Sequence, residues 1–256
     1  PPAALLTRGT MNVDGQVNID SRADLTCGAR DGTWSTGATS VLGSAHVYGA
    51  DGNSTPDQSA GPGVTDVRQL VADSAFSPFV LKSGDLDGLK AIAKANGTYF
   101  SGPSVSTLTF NSGNKLPNGV VYVDTVSGDN IDKNGPSTTP TSDFANVTIQ
   151  GSAEGDPSGT FSGMIVVAGD LKISGSFHMR GIAYAVGNLA LSAGGSGQLD
   201  GAVISQNIRN APATTVDSGG APAAFNFNCG YVSNPGGQMP QTFTIQPGTY
   251  REISGS

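Results

Sequence analysis

Charge is scarce in this chain. Only 13% of its 256 residues are Asp, Glu, Lys or Arg, and 13 basic side chains against 20 acidic ones leave a net charge of −7. General nucleic-acid binding needs clustered cations that displace counterions, and no run of Lys and Arg here reaches polybasic density. Long apolar runs are missing as well: none approaches the ~20 residues of a membrane span, and no signal peptide stands at the start. The opening Pro1-Pro-Ala-Ala has no initiator Met, so the expectation is an ectodomain excised from a longer precursor. Histidine is limited to His46 and His178, far apart and without a nearby Cys, which argues against a zinc centre. Cysteine is limited to Cys27 and Cys229. They are either buried thiols or one disulfide; low charge with much Ser, Thr, Asn and Gly is usual for exported proteins and favours the disulfide. Such a bond would close a loop worth at most about 5 kcal/mol in the chain-entropy account.

Glycine, by contrast, is abundant: 37 of them, with 15 prolines and 37% hydrophobic content. That pairing suits many short strands joined by turns better than a disordered chain, which would carry more charge. In residues 163–206 the glycines fall at 163, 169, 175, 181 and 187, a step of six. A longer period is laid over it, because Gly163-Met-Ile-Val-Val-Ala, Gly181-Ile-Ala-Tyr-Ala-Val and Gly201-Ala-Val-Ile-Ser-Gln align at offsets of 18 and 20. Within residues 170–180, Leu171, Ile173, Phe177 and Met179 alternate with Asp170, Lys172, Ser174, Ser176, His178 and Arg180. Period two puts one set inside and the other outside. Aligned copies then stack Ile165, Ala183 and Val203 in one column beside Met164, Ile182 and Ala202. An α-helix would lose about 1 kcal/mol at each interior glycine. The reading is a mainly β chain, a parallel β-helix (β-solenoid) spanning residues 1–256 as one domain. Gly9-Thr-Met-Asn-Val-Asp-Gly15 repeats the six-step signature near the start.

Two surface loops and a helical insertion interrupt it. Residues 29–63 read as loop, punctuated by Gly32, Gly37, Gly43, Gly52 and Pro56; Trp34 is expected to plug an end of the core. Residues 64–100 read as two short amphipathic helices, 66–73 and 86–95, the second with Asp85 as N-cap and Asn96-Gly97 as its end. Strands resume at residues 105–110, 119–124, 146–149, 224–229 and 241–245. The loop at residues 127–145 contains Asn130-x-Asp132-x-Asn134-Gly135, which matches the first half of a calcium loop, with Thr141 where that loop needs a bidentate Glu. Calcium and a plain polar turn both remain open there, and no other cofactor is implied.

Parallel β-helices include polysaccharide-cleaving enzymes, whose chemistry needs paired carboxylates at a set separation. Asp170, Lys172, His178 and Arg180 form an outward polar strip, a candidate contact surface. There is no Asp-Asp pair, nucleophile elbow, P-loop or metal triad. The reading is therefore non-enzymatic, with a carbohydrate-binding or polysaccharide-cleaving β-helix as the alternative, since fold does not carry function by itself.

Several segments taken in order resemble the PilX-type pilus-assembly proteins of bacteria: Pro2-Ala-Ala-Leu-Leu, Val13-Asp-Gly-Gln-Val, Ala95-Asn-Gly-Thr-Tyr-Phe and Gly119-Val-Val-Tyr-Val, then Val167-Ala-Gly-Asp-Leu-Lys-Ile-Ser-Gly, Gly201-Ala-Val-Ile-Ser and Gly248-Thr-Tyr-Arg-Glu-Ile. That family usually closes with Trp before Arg-Glu, where this chain has Tyr250. The resemblance implies a minor-pilin-like component of a type IV pilus, extracellular and at the cell surface. It implies a hydrophobic N-terminal helix outside this chain, other pilins or pilus-tip proteins as partners, and a role in assembly, adhesion, or contact with a surface glycan or DNA.

Overall fold

The computed structural model describes residues 1–49, 65–129, 131, 139–192, 197–208, 214–217 and 223–235. The chain opens with β1 (Ala3–Thr7), β2 (Met11–Asp14), β3 (Val17–Asp20), β4 (Asp31–Ser35), β5 (Thr39–Val41), β6 (His46–Tyr48) and β7 (Val67–Arg68). Helices α1 (Asp73–Phe76) and α2 (Ser83–Asn96) follow. Next come β8 (Tyr99–Phe100), β9 (Leu108–Phe110), β10 (Gly119–Val123), β11 (Ala145–Gln150), β12 (Phe161–Val167) and β13 (Gly169–Ser174). The described chain ends with β14 (His178–Ala185), β15 (Leu189–Ser192), β16 (Gln198–Ser205), β17 (Thr214–Asp217), β18 (Ala223–Asn226) and α3 (Cys229–Ser233).

The protein is mainly β, and the strands form two sheets whose pairings are parallel throughout. From β10 to β18 the chain alternates between them, even-numbered strands in the larger sheet and odd-numbered ones in the smaller. The expected columns are present: Ile165 pairs with Ala183 and Ala183 with Val203, beside Met164, Ile182 and Ala202. Beyond β16 the chain order breaks. Residues Gln198–Asp200 of β16 pair with β18, whereas Val203–Ser205 pair with β1. One layer of the larger sheet is thus built from the last described strand and the first. The next layers are β3 with β4, then β6 with β7. Cys27 and Cys229 are bonded, Cα atoms 5.8 Å apart.

Alternation decides what is buried. In β13 Leu171 and Ile173 are buried between half-exposed Asp170 and exposed Lys172, and in β14 Met179 is buried between His178 and Arg180. The inward residues of both sheets form one core that runs from Val13 and Val47 through Val203 and Ile165 to Phe110. A second core lies on the other side of the larger sheet, where Tyr122, Val166, Tyr184, Ile204 and Leu6 meet Phe76, Leu86, Leu89 and Ala93 of the helices. Gly119, Gly163, Gly181 and Gly201 are in register, with φ between +97° and +159°. A Cβ on Gly181 would run into the carbonyl oxygen of Gly163, so no other residue fits this column.

Five expectations are corrected. Residues 29–63 are not all loop: β4, β5 and β6 lie there, held by register with β1, β2 and β3 that outweighs the glycines. Residues 66–73 are not a helix, because Val67 and Arg68 pair with Thr33 and Trp34 while the Asp66 carboxylate accepts a hydrogen bond from the Gly49 N–H at 2.6 Å. Helix α1 begins only at Asp73. Asp85 is the third residue of α2 rather than its N-cap, its carboxylate reaching back to the Lys82 N–H at 2.8 Å; Gly97 closes the helix at φ +69°. Trp34 does not plug an end: it lies in the helix-covered core, edge-on to Phe79 at 5.5 Å between ring centroids. The strand expected over residues 105–110 is shortened to β9 by a 3-10 turn at Pro103–Thr107.

Candidate functional site

The glycine column divides the larger sheet into two halves with different outer faces. On the side after the glycines, the outward positions are apolar and lie under α1 and α2. On the side before them, the outward positions are polar. Across β14, β16, β18, β3 and β6 one row reads Arg180, Asp200, Asn226, Asp20 and Tyr48. The neighbouring row runs from His178 through Gln198, Ala224 and Asn18 to His46. All ten positions are half-buried or exposed.

The polar groups hold one another in place. Gln198 Nε2 donates to both oxygens of Asp200 at 2.9 Å, and Asn226 Nδ2 donates to Asp200 Oδ1 at 2.9 Å. Arg22 grips Asp20 with Nε and a terminal nitrogen at 2.9 and 2.7 Å, and this guanidinium holds the Asp20 carboxyl below its usual range. The same guanidinium lies over the Tyr48 ring at 3.9 Å, and Tyr48 stacks with His46 at 5.9 Å. Arg180 lies over Tyr231 of α3 at 5.7 Å, with no carboxylate ion pair among the described residues.

The four residues of the expected strip fall on two sheets. His178 and Arg180 belong to this face; Asp170 and Lys172 stand on the smaller sheet, since the turn at Gly175 carries the chain from one sheet to the other. Asp170 Oδ1 accepts from the Asn188 N–H at 2.8 Å and so ties adjacent strands together. Asn130, Asp132 and Asn134 lie outside the described residues, and no group of three metal-ligating side chains occurs among the described ones. Asp200, Asn226, Asp20 and Tyr48 were missed because each is unremarkable in its own segment. The one signal that could have found them is the column alignment already visible from Gly181 to Gly201, extended to Asn226 and Asp20.

A second polar cluster ties α2 to the larger sheet. Lys90 Nζ is 2.7 Å from Asp124, with the two side chains 11% and 1% exposed. Tyr99 donates its hydroxyl to Asp124 Oδ2 at 2.8 Å and the Thr125 N–H reaches Oδ1 at 2.9 Å. Burial pushes the Tyr122 and Tyr184 hydroxyls well above the usual phenol range. This cluster is enclosed, and its groups serve one another. Neither a family model, nor a curated protein, nor a solved structure matches the chain.

Proposed function

We propose that the two sheets are the walls of one coil, a β-solenoid, and that the protein is a non-enzymatic, minor-pilin-like component of a type IV pilus acting in assembly or adhesion at the bacterial surface. The coil is supported by the alternation of β10 to β18 between sheets, by same-sheet neighbours 18 and 20 residues apart, and by positive φ at each glycine of the column, which suits a corner. Each layer then has three sides: the smaller sheet and the two halves of the larger one.

One observation carries the pilus reading. Segments that resemble the PilX-type family are scattered along the sequence, yet four of them fall on strands: Pro2–Leu6 on β1, Gly119–Val123 on β10, Val167–Gly175 on β13 and Gly201–Ser205 on β16, with β1 and β16 paired although nearly 200 residues separate them. The resemblance therefore falls on strands of both sheets rather than on the loops between them. The closing Gly248-Thr-Tyr-Arg-Glu-Ile segment lies outside the described residues. The test is to read the coding region upstream of Pro1 and to probe sheared pili for the protein. A hydrophobic pilin helix and co-purification are expected; a leader of another kind together with absence from pili overturns the proposal. The polar face, whose β14 and β16 end meets α3, favours a second reading, carbohydrate binding, which is compatible with the first if the displayed subunit is an adhesin.

A further inference from the structure

We propose that the face carrying Arg180, Asp200, Asn226, Asp20 and Tyr48 binds an extended, uncharged polysaccharide laid across the strands. This deepens the adhesive reading by naming what the displayed surface holds.

Three observations converge on it. The first is concentration. In a chain with only 13% charged residues and two histidines, this one face gathers both histidines, two arginines and two of the six tyrosines, counting Tyr231 at its border. His46 and His178, far apart in sequence, come to one row. A merely solvated face would not need these planar groups, and the smaller sheet shows the contrast: its outward positions include Thr109, Thr148, Lys172, Ala190, Asn12 and Ser40, with Asp170 beside them, and none of these carries a ring or a guanidinium.

The second is preorganisation. Asp200 is fixed by the amide nitrogens of Gln198 and Asn226, so the amide oxygens of both residues are left as acceptors on neighbouring strands. Arg22 is fixed between Asp20 and Tyr48. Groups held by their neighbours lose little freedom on binding, which is what a weak polar ligand requires. Neighbouring strands are about 4.8 Å apart, close to the advance per residue of an extended β-linked hexose chain, so successive sugars would meet equivalent positions on successive layers.

The third is charge. Arg180 of the rows and Arg22 beside them stand against Asp20 and Asp200, and Glu154 accepts from the His178 N–H at 2.7 Å, so the face holds no excess of positive charge. A nucleic acid or a polyuronate needs unopposed cations, and the whole chain, at −7, repels both. Hydroxyl-rich, uncharged sugars are the ligands that carboxylate, amide and guanidinium groups recognise together without an excess of cations.

Affinity electrophoresis of the isolated chain through gels containing hydroxyethyl cellulose, with polygalacturonate and duplex DNA gels in parallel, tests the proposal apart from any pilus. Retardation by hydroxyethyl cellulose alone is expected, weakened about tenfold by Arg180→Ala or Asn226→Ala and unchanged by Lys172→Ala on the other sheet. Circular dichroism of each variant separates lost binding from lost fold. Mobility unaffected by the neutral polymer, retardation only by polygalacturonate or DNA, or equal weakening by Lys172→Ala would each overturn it. Any of those results leaves co-purification with pili to decide the pilus assignment separately.

Discussion

Gly181 and Gly88 lack the same Cβ, with opposite consequences. At Gly181, φ is +139° and the added carbon meets the backbone of Gly163 on the next strand, so Gly181→Ala must strain its own backbone or push neighbouring layers apart. The expected cost is about 3 kcal/mol or more. Gly88 sits within α2 with nothing near the site of a Cβ, so Gly88→Ala should stabilise by about 0.5–1 kcal/mol through helix propensity and a less free unfolded chain. Urea unfolding of the two variants measures both, and a harmless Gly181→Ala would contradict the close approach. Tyr122 and Tyr184 make a second residue-scale case. Their folded pKa is raised from the ordinary 10.0, so the stabilisation they bring is complete below that value and is lost as pH rises above it. Ultraviolet titration should therefore show these two of the six tyrosines resisting ionisation until alkaline unfolding releases them together. Six phenols titrating as one class near the ordinary value would refute the burial.

Helix α2 shows what an element gains from one buried contact. Its apolar stripe, Leu86, Leu89 and Ala93, packs on the larger sheet, and Lys90 adds an ion pair to a carboxylate that is 1% exposed. Lys90→Met would leave Asp124 enclosed without a cation, a loss of about 3 kcal/mol. Lys94→Ala, which removes only a cation over the Tyr99 ring at 4.5 Å, should cost under about 1 kcal/mol. Thermal unfolding of both variants under one buffer distinguishes them, and equal losses would mean that the Lys90 pair contributes no more than a surface contact. Elements of this kind were only partly legible. The stripe of α2 and the alternation of β13 and β14 follow from local periods, 3.6 and 2, which need no knowledge of neighbours. β7 was not legible, because Val67 is a strand residue only through its pairing with Thr33. Nor was the face legible as a unit: period two continues from Lys172 to His178 as if the surface were one, while the turn at Gly175 assigns them to different sheets.

At the scale of the molecule, spatial order is a rotation of sequence order. Following the larger sheet, the layers run from β8 through β10, β12, β14 and β16, then through β18 with β1 and β3 with β4, to β6 with β7. The connection through α1 and α2 leads from the last of these layers back to the first, along the outside. No local period announces this closure, since the docking of β1 on β16 joins segments nearly 200 residues apart. The Cys27–Cys229 bond joins the early strands to the last described helix and would contribute about 2–5 kcal/mol by restricting the unfolded chain. If layer-to-layer pairing rather than chain order holds the fold, the helical return is dispensable as a covalent link. A permuted chain that starts at Ala72, joins Ser256 to Pro1 and ends at Val71 should then fold with an unchanged circular dichroism spectrum. It should form the same disulfide and unfold within about 2 kcal/mol of the parent, because each layer keeps its neighbours and only one loop closure is exchanged for another. A permutant that forms the disulfide yet loses the sheet signal would show that the return through α1 and α2 has to be covalent for the stack to assemble.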